Sequence, residues 1–93
     1  MKPSQALTLH GPEIVAVVER HRARNPCVFG SAARGHDREG SDLDILIDPL
    51  PDMPLFDLGA IQEELTDLLG VKVDVVTSPV PERHLLDGLR PVA

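Results

Sequence analysis

The apolar positions of this chain fall into two kinds of period. Ile14, Val17, Val18 and His21 follow the i, i+3, i+4, i+7 spacing of one helical face and predict a helix over residues 12–24. Pro12 suits its first turn, and Arg20, Arg22 and Arg24 suit the negative end of its dipole. Pro26 is expected to end it. Cys27, Val28 and Phe29 form an apolar run too short for a helix, which reads as a buried strand. GSAARG follows as a turn opening a short helix, and residues 36–41 are a polar loop. Residues 43–47, LDILI, alternate and read as a second strand. Leu58, Ile61, Leu65, Leu68 and Leu69 give a second helical stripe, capped by Gly70. Residues 71–77, VKVDVVT, read as a third strand with Val71, Val73 and Val75 on one face. Leu85, Leu86 and Leu89 predict a short helix after Pro81. Helix, strand, turn-helix, strand, helix, strand is an α/β (α+β) order: one small mixed sheet with helices packed on one face. Strand order stays open.

The chain has 93 residues, enough for a single domain over residues 1–93. Phe29 and Phe56 are its only aromatics, so the core must be built from Leu, Val, Ile and Ala. Such a core is modest, and a partner or oligomer would help it. The net charge of −6 argues against a surface made to hold nucleic-acid phosphates. The balance is uneven: residues 1–41 carry 6 basic and 4 acidic side chains, residues 42–93 carry 3 and 11. Cys27 is the one cysteine, which excludes an internal disulfide and a cysteine-rich zinc site. No apolar run approaches the ~20 residues that span a membrane. The first residues, MKPSQALTLHGPE, lack the apolar stretch of a secretion signal. A cytoplasmic setting without membrane association is expected.

Three features carry candidate chemistry. Asp42 and Asp44 stand at i and i+2 of a strand and project side by side, opposite Leu43, Ile45 and Ile47. Adjacent carboxylates repel unless cations lie between them. Magnesium favours carboxylate and phosphate oxygens, and two such ions can hold both ends of a phosphoryl displacement. Asp74 interrupts a run of valines where Asp is disfavoured, and if the second and third strands are neighbours it can share the face of Asp42 and Asp44. Gly30-Ser31 follows a strand and opens a helix, an arrangement suited to phosphate, with Arg34 one turn on. The four histidines have no metal-ligand spacing. His21 reads as a half-buried helix residue, 36–39 as a solvated loop, and Glu63, Glu64 and Asp67 as the wet face of a helix. Asp48 lies at the strand end, outside the site.

Together, FGSAARG, SDLDILI and VDVVT resemble the minimal nucleotidyltransferases of the DNA polymerase β-like superfamily over roughly residues 12–90. The resemblance implies that Gly30 and Ser31 hold a nucleoside triphosphate, with Arg34 beside them. It implies that Asp42 and Asp44 ligate two Mg²⁺, and that Asp74 helps to bind metal or to activate the acceptor hydroxyl. Small members of this kind look like antitoxins of two-gene modules whose partner is a helical HEPN toxin. The implied reaction is transfer of AMP from ATP to a hydroxyl of that partner, a tyrosine in the family pattern. A non-catalytic antitoxin, which neutralises its partner by covering it, is the alternative; Leu55, Phe56, Leu85, Leu86 and Leu89 would form its interface.

Overall fold

The computed structural model describes residues 1–80 and 86–93. Helix α1 (Pro3–Arg20) starts nine residues before the expected boundary. The reason is packing: Ala6 and Leu7 are buried in the core, and Pro3 takes the first-turn position where its missing N–H costs nothing. Pro12 therefore lies inside the helix, and His10 leaves helical geometry (φ −121°, ψ 21°) to form the kink that an internal proline requires. The C-terminal boundary also differs. The helix stops at Arg20, Arg22 takes a left-handed φ of 64°, and strand β1 (Ala23–Phe29) begins at once. Pro26 does not end the helix. It lies in β1, at a bulge where Arg24 and Cys27 oppose Asp48 and Leu46, and Asn25 has a φ of 53°.

A short helix α2 (Ser31–Arg34) and a loop lead into β2 (Leu43–Pro49), which pairs antiparallel with β1. Helix α3 (Leu55–Leu69) ends at Gly70, whose φ of 70° makes the expected left-handed cap. It returns the chain to β3 (Val73–Thr77), two residues later than the sequence pattern suggests, and β3 runs parallel to β2. Residues 86–88 form a bend and a turn. Strand β4 (Arg90–Pro91) then pairs antiparallel with β1. The helix expected around Leu85, Leu86 and Leu89 is thus a turn and a strand in its described part; Leu85 lies outside the described residues. Sheet order is β3-β2-β1-β4, a mixed sheet.

Side-chain parity decides what each face does. Val28, Leu43, Ile45, Ile47 and Val73 turn to the helices and form the core with Ile14, Val18, Ile61 and Leu65. Helices α1 and α3 are clasped at their polar flank. His21 Nε2 lies 3.0 Å from Glu64 Oε1, its Nδ1 lies 3.5 Å from Asp57 Oδ2, and Arg20 also bonds Glu64. The His21 hydrogen bond is the largest influence on Glu64. With the Arg20 and His21 charges it outweighs burial and holds the Glu64 carboxyl below its usual range.

Candidate active site

Strand parity puts Asp42, Asp44 and Asp74 on the sheet face away from the helices. The parallel register sets Asp44 beside Asp74 and Leu43 beside Val73. Two neighbouring strands therefore bring together the three carboxylates that the sequence pattern singled out, as strand adjacency requires. Their proximity has an electrostatic signature. The Asp44 carboxyl titrates above its ordinary range because it is partly buried and because Asp74 and Asp42 repel its charge. Lys72 stands beside this cluster, its Nζ 3.8 Å from Asp42 Oδ2, with both side chains well exposed.

Gly30 meets this cluster from the β1 side, where Phe29 pairs with Asp44. Its φ of 77° and ψ of −156° lie in a region that only glycine occupies readily. A Cβ built there would fall 2.6 Å from Asp44 Oδ2. Glycine is needed at this position for backbone conformation and for the close approach of the carboxylate. Its N–H is committed elsewhere, donating to the Asp87 carbonyl at 2.7 Å. Ser31 follows as the first residue of α2 and is half-buried. Arg34, in the last turn of α2, donates from Nη1 to Asp87 Oδ2 at 2.5 Å.

Two residues of this region were not visible in the sequence pattern. Asp37 reads as part of a solvated loop but is 5% exposed and accepts a hydrogen bond from the Ser4 N–H. Asp87 gathers Gly30 and Arg34; its Asp-Gly dipeptide signals a turn but not a partner. Asp48 bonds Asn25 Nδ2 at 3.0 Å, six residues along from Asp42, and belongs to the other end of the sheet. Cys27 is a buried free thiol, as its strand position suggests.

The donor chemistry suits magnesium. All three acidic side chains offer oxygen, and their mutual repulsion would be relieved by a divalent cation. Among the described residues no group of three His, Cys, Asp or Glu side chains forms a ready metal cage.

Comparison with known proteins gives this geometry a context. Methanocaldococcus jannaschii MJ1217, provisionally named a protein adenylyltransferase, is 42% identical over 63% of this chain; the match spans 60% of its own length. The protein adenylyltransferase MntA of Thermococcus cleftensis is 41% identical over 75% of this chain and 68% of its own. A solved structure provisionally assigned as a minimal nucleotidyltransferase superposes with a TM-score of 0.73 at 36% identity, covering 82% of both chains. The same fold recurs at 16% identity and a TM-score of 0.72 in a toxin–antitoxin crystal structure with AMP-PNP, over 89% of this chain and 72% of that one. It recurs again, at 15% and 0.65 over 94% and 71%, in the complex of a tri-AMPylated Shewanella oneidensis HEPN toxin with its MNT antitoxin. Residues 16–88, which run from the second half of α1 past all three carboxylates, match the nucleotidyltransferase domain, and the chain belongs to that family.

Proposed function

We propose that this chain is the antitoxin of a two-component module and transfers AMP from ATP to a hydroxyl of a helical HEPN partner. The observation that carries this reading is the side-by-side placement of Asp42, Asp44 and Asp74 next to the Gly30-Ser31 turn. The adenylyltransferase names of its relatives and the AMPylated partner of one structural neighbour support it. Asp42 and Asp44 would hold two Mg²⁺, with Asp74 as the third carboxylate. Bound magnesium supplies charge neutralisation at the triphosphate and lowers the pKa of the acceptor hydroxyl. Ser31 and Arg34 bind the phosphates. In the transfer, the partner's hydroxyl oxygen bonds the α-phosphorus, the bond to the β-phosphate bridging oxygen breaks, and pyrophosphate leaves with that electron pair. The hydroxyl proton passes to the acidic cluster, Asp74 being its acceptor, and from there to solvent.

One observation favours a second reading, a binding antitoxin without catalysis. Leu55 and Phe56 are 94% and 89% exposed at the start of α3, beside an apolar groove of about 240 Å³ lined by Pro49, Leu50, Met53 and Leu58. Leu86 and Leu89, in contrast, are half-buried and less available to a partner than the sequence suggests. Intact-protein mass spectrometry separates the two readings. A HEPN-type candidate partner is incubated with ATP, Mg²⁺ and this chain or its Asp42→Ala/Asp44→Ala form. A gain of whole AMP units that needs the carboxylates supports the first reading. A stable complex without any mass gain supports the second.

A further inference from the structure

The Asp87–Gly88 turn makes a set of contacts that the nucleotidyl-transfer chemistry does not itself explain. The Asp87 carbonyl accepts the Gly30 N–H at 2.7 Å, and its carboxylate accepts the Arg34 guanidinium at 2.5 Å. Gly88 lies against the stem of Arg34: a Cβ there would be 2.9 Å from Arg34 Cγ and 3.3 Å from Ala33 Cβ, and its φ is 68°. The turn is itself anchored, because Arg90 and Pro91 pair with Val28 and Cys27 of β1. One short segment thus grips the backbone at the start of the Gly30–Arg34 turn and the side chain at its end.

From this arrangement we infer that Asp87 is a positioning residue, which holds the Arg34 guanidinium and the Gly30 turn in place for the triphosphate of a bound nucleotide. The inference rests on the nucleotidyltransferase reading above. Arg34 is 48% exposed on a four-residue helix, and such a side chain otherwise samples many rotamers. Its planar fork has five N–H donors, so one Nη given to Asp87 leaves donors for phosphate oxygens. Ordering the fork before the ligand arrives removes part of the entropy cost of binding. Asp87 acts through Arg34 and Gly30 and contacts no reacting atom.

The experiment is calorimetric titration of the full chain with Mg-ATP, alongside thermal unfolding. Asp87→Asn keeps the size and removes the charge. Affinity is expected to fall by up to about fivefold, the upper range for an exposed ion pair. Asp87→Glu is expected to retain most of the affinity. In an Arg34→Ala background, Asp87→Asn is expected to add nothing, which a general loosening of the fold would not produce. Unchanged or tighter ATP binding in Asp87→Asn, beside weakened binding in Arg34→Ala, overturns the inference alone. Additive losses in the double variant also overturn it. No binding by the unaltered chain overturns the nucleotidyltransferase reading and this one with it. Should Asp87→Asn fail to fold, Asp87→Ser takes its place in both backgrounds: a loss of affinity that vanishes in Arg34→Ala supports the inference, and an unchanged affinity or an additive loss overturns it.

Discussion

Oδ2 of Asp37 accepts the backbone N–H of Ser4 at 2.7 Å, so the loop that leads into Asp42 caps the first turn of α1. Asp37 is the buried charged residue of the described chain, and its Oδ1 has no partner. Burial pushes its carboxyl up; hydrogen bonds from the Ser4 N–H, the Ser4 hydroxyl and its own N–H, with the Lys2 charge, outweigh that and hold it below its ordinary value of 3.8. A depressed folded pKa means stability that is present above the unfolded pKa and lost as pH falls through the folded one. Asp37→Ala is expected to lower unfolding free energy by about 0.5–2 kcal/mol, the range for a lost helix cap. In urea titrations the gap between the two proteins should close as pH drops below 3.8. A gap that persists undiminished at low pH would show that charge is not what the cap supplies.

Gly30 and Asp44 set a second test. Replacing Gly30 by Ala forces a side chain into a glycine-only backbone region, at a cost of about 1–3 kcal/mol, and drives its Cβ against the Asp44 carboxylate. The two costs separate in a double-variant cycle. In an Asp44→Ala background the carboxylate is gone and only the backbone cost remains, so Gly30→Ala should destabilise less there. Equal losses in both backgrounds would mean that the contact with Asp44 carries no strain. Nucleotidyl transfer should be lost in Gly30→Ala even where the protein folds, because Asp44 must move to make room.

Much of this site is legible in the sequence because it is encoded locally. Asp42 and Asp44 share a face by strand parity alone. Gly70 caps α3 where its stripe ends, and Asp74 betrays itself by interrupting valines. What is hidden depends on contacts between distant segments. The start of α1 is set by Ala6 and Leu7 entering a core that residues 43–73 complete. Pro26 looks like a helix terminator until β2 and β4 pair on either side of the bulge that accommodates it. Asp37 and Asp87 carry no local mark of their roles. One is buried by the chain's first residues, and the other joins Arg34 across 53 positions. A charged residue in a polar loop looks solvated until its partner is known.

The edge of the sheet beside the site offers a third prediction. β3 is an edge strand, yet two of its outward N–H groups are answered by α3: Val73 N–H donates to Thr66 Oγ1 at 3.2 Å and Val75 N–H to Gln62 Oε1 at 3.0 Å. Such side chains blunt an edge that would otherwise template another strand. The pair Gln62→Leu and Thr66→Val keeps the volume and removes both acceptors. It is expected to cost about 1–2 kcal/mol in urea unfolding and to promote self-association visible in light scattering. A monomeric double variant of undiminished stability would assign these contacts no protective role.

The acidic cluster itself should trade stability for function. The Asp44 carboxyl has a raised folded pKa, so its ionised form is disfavoured by the fold. For this group stability falls as pH rises from the unfolded value of 3.8 to the folded one, and the penalty then stays constant at neutral pH. Asp44→Asn removes the charge that burial, Asp74 and Asp42 oppose, at nearly the same size. In metal-free buffer near pH 7 it is expected to raise the melting temperature by a few degrees, while abolishing AMP transfer. Added Mg²⁺ should reverse the order. A cation that binds the folded carboxylates stabilises the unaltered protein by mass action and does little for Asp44→Asn. Melting curves of both proteins, with and without Mg²⁺, read all four states. If Asp44→Asn melts lower than the unaltered protein in metal-free buffer, the three carboxylates are not in repulsive contact. If Mg²⁺ moves both curves equally, the ion is not held by Asp44.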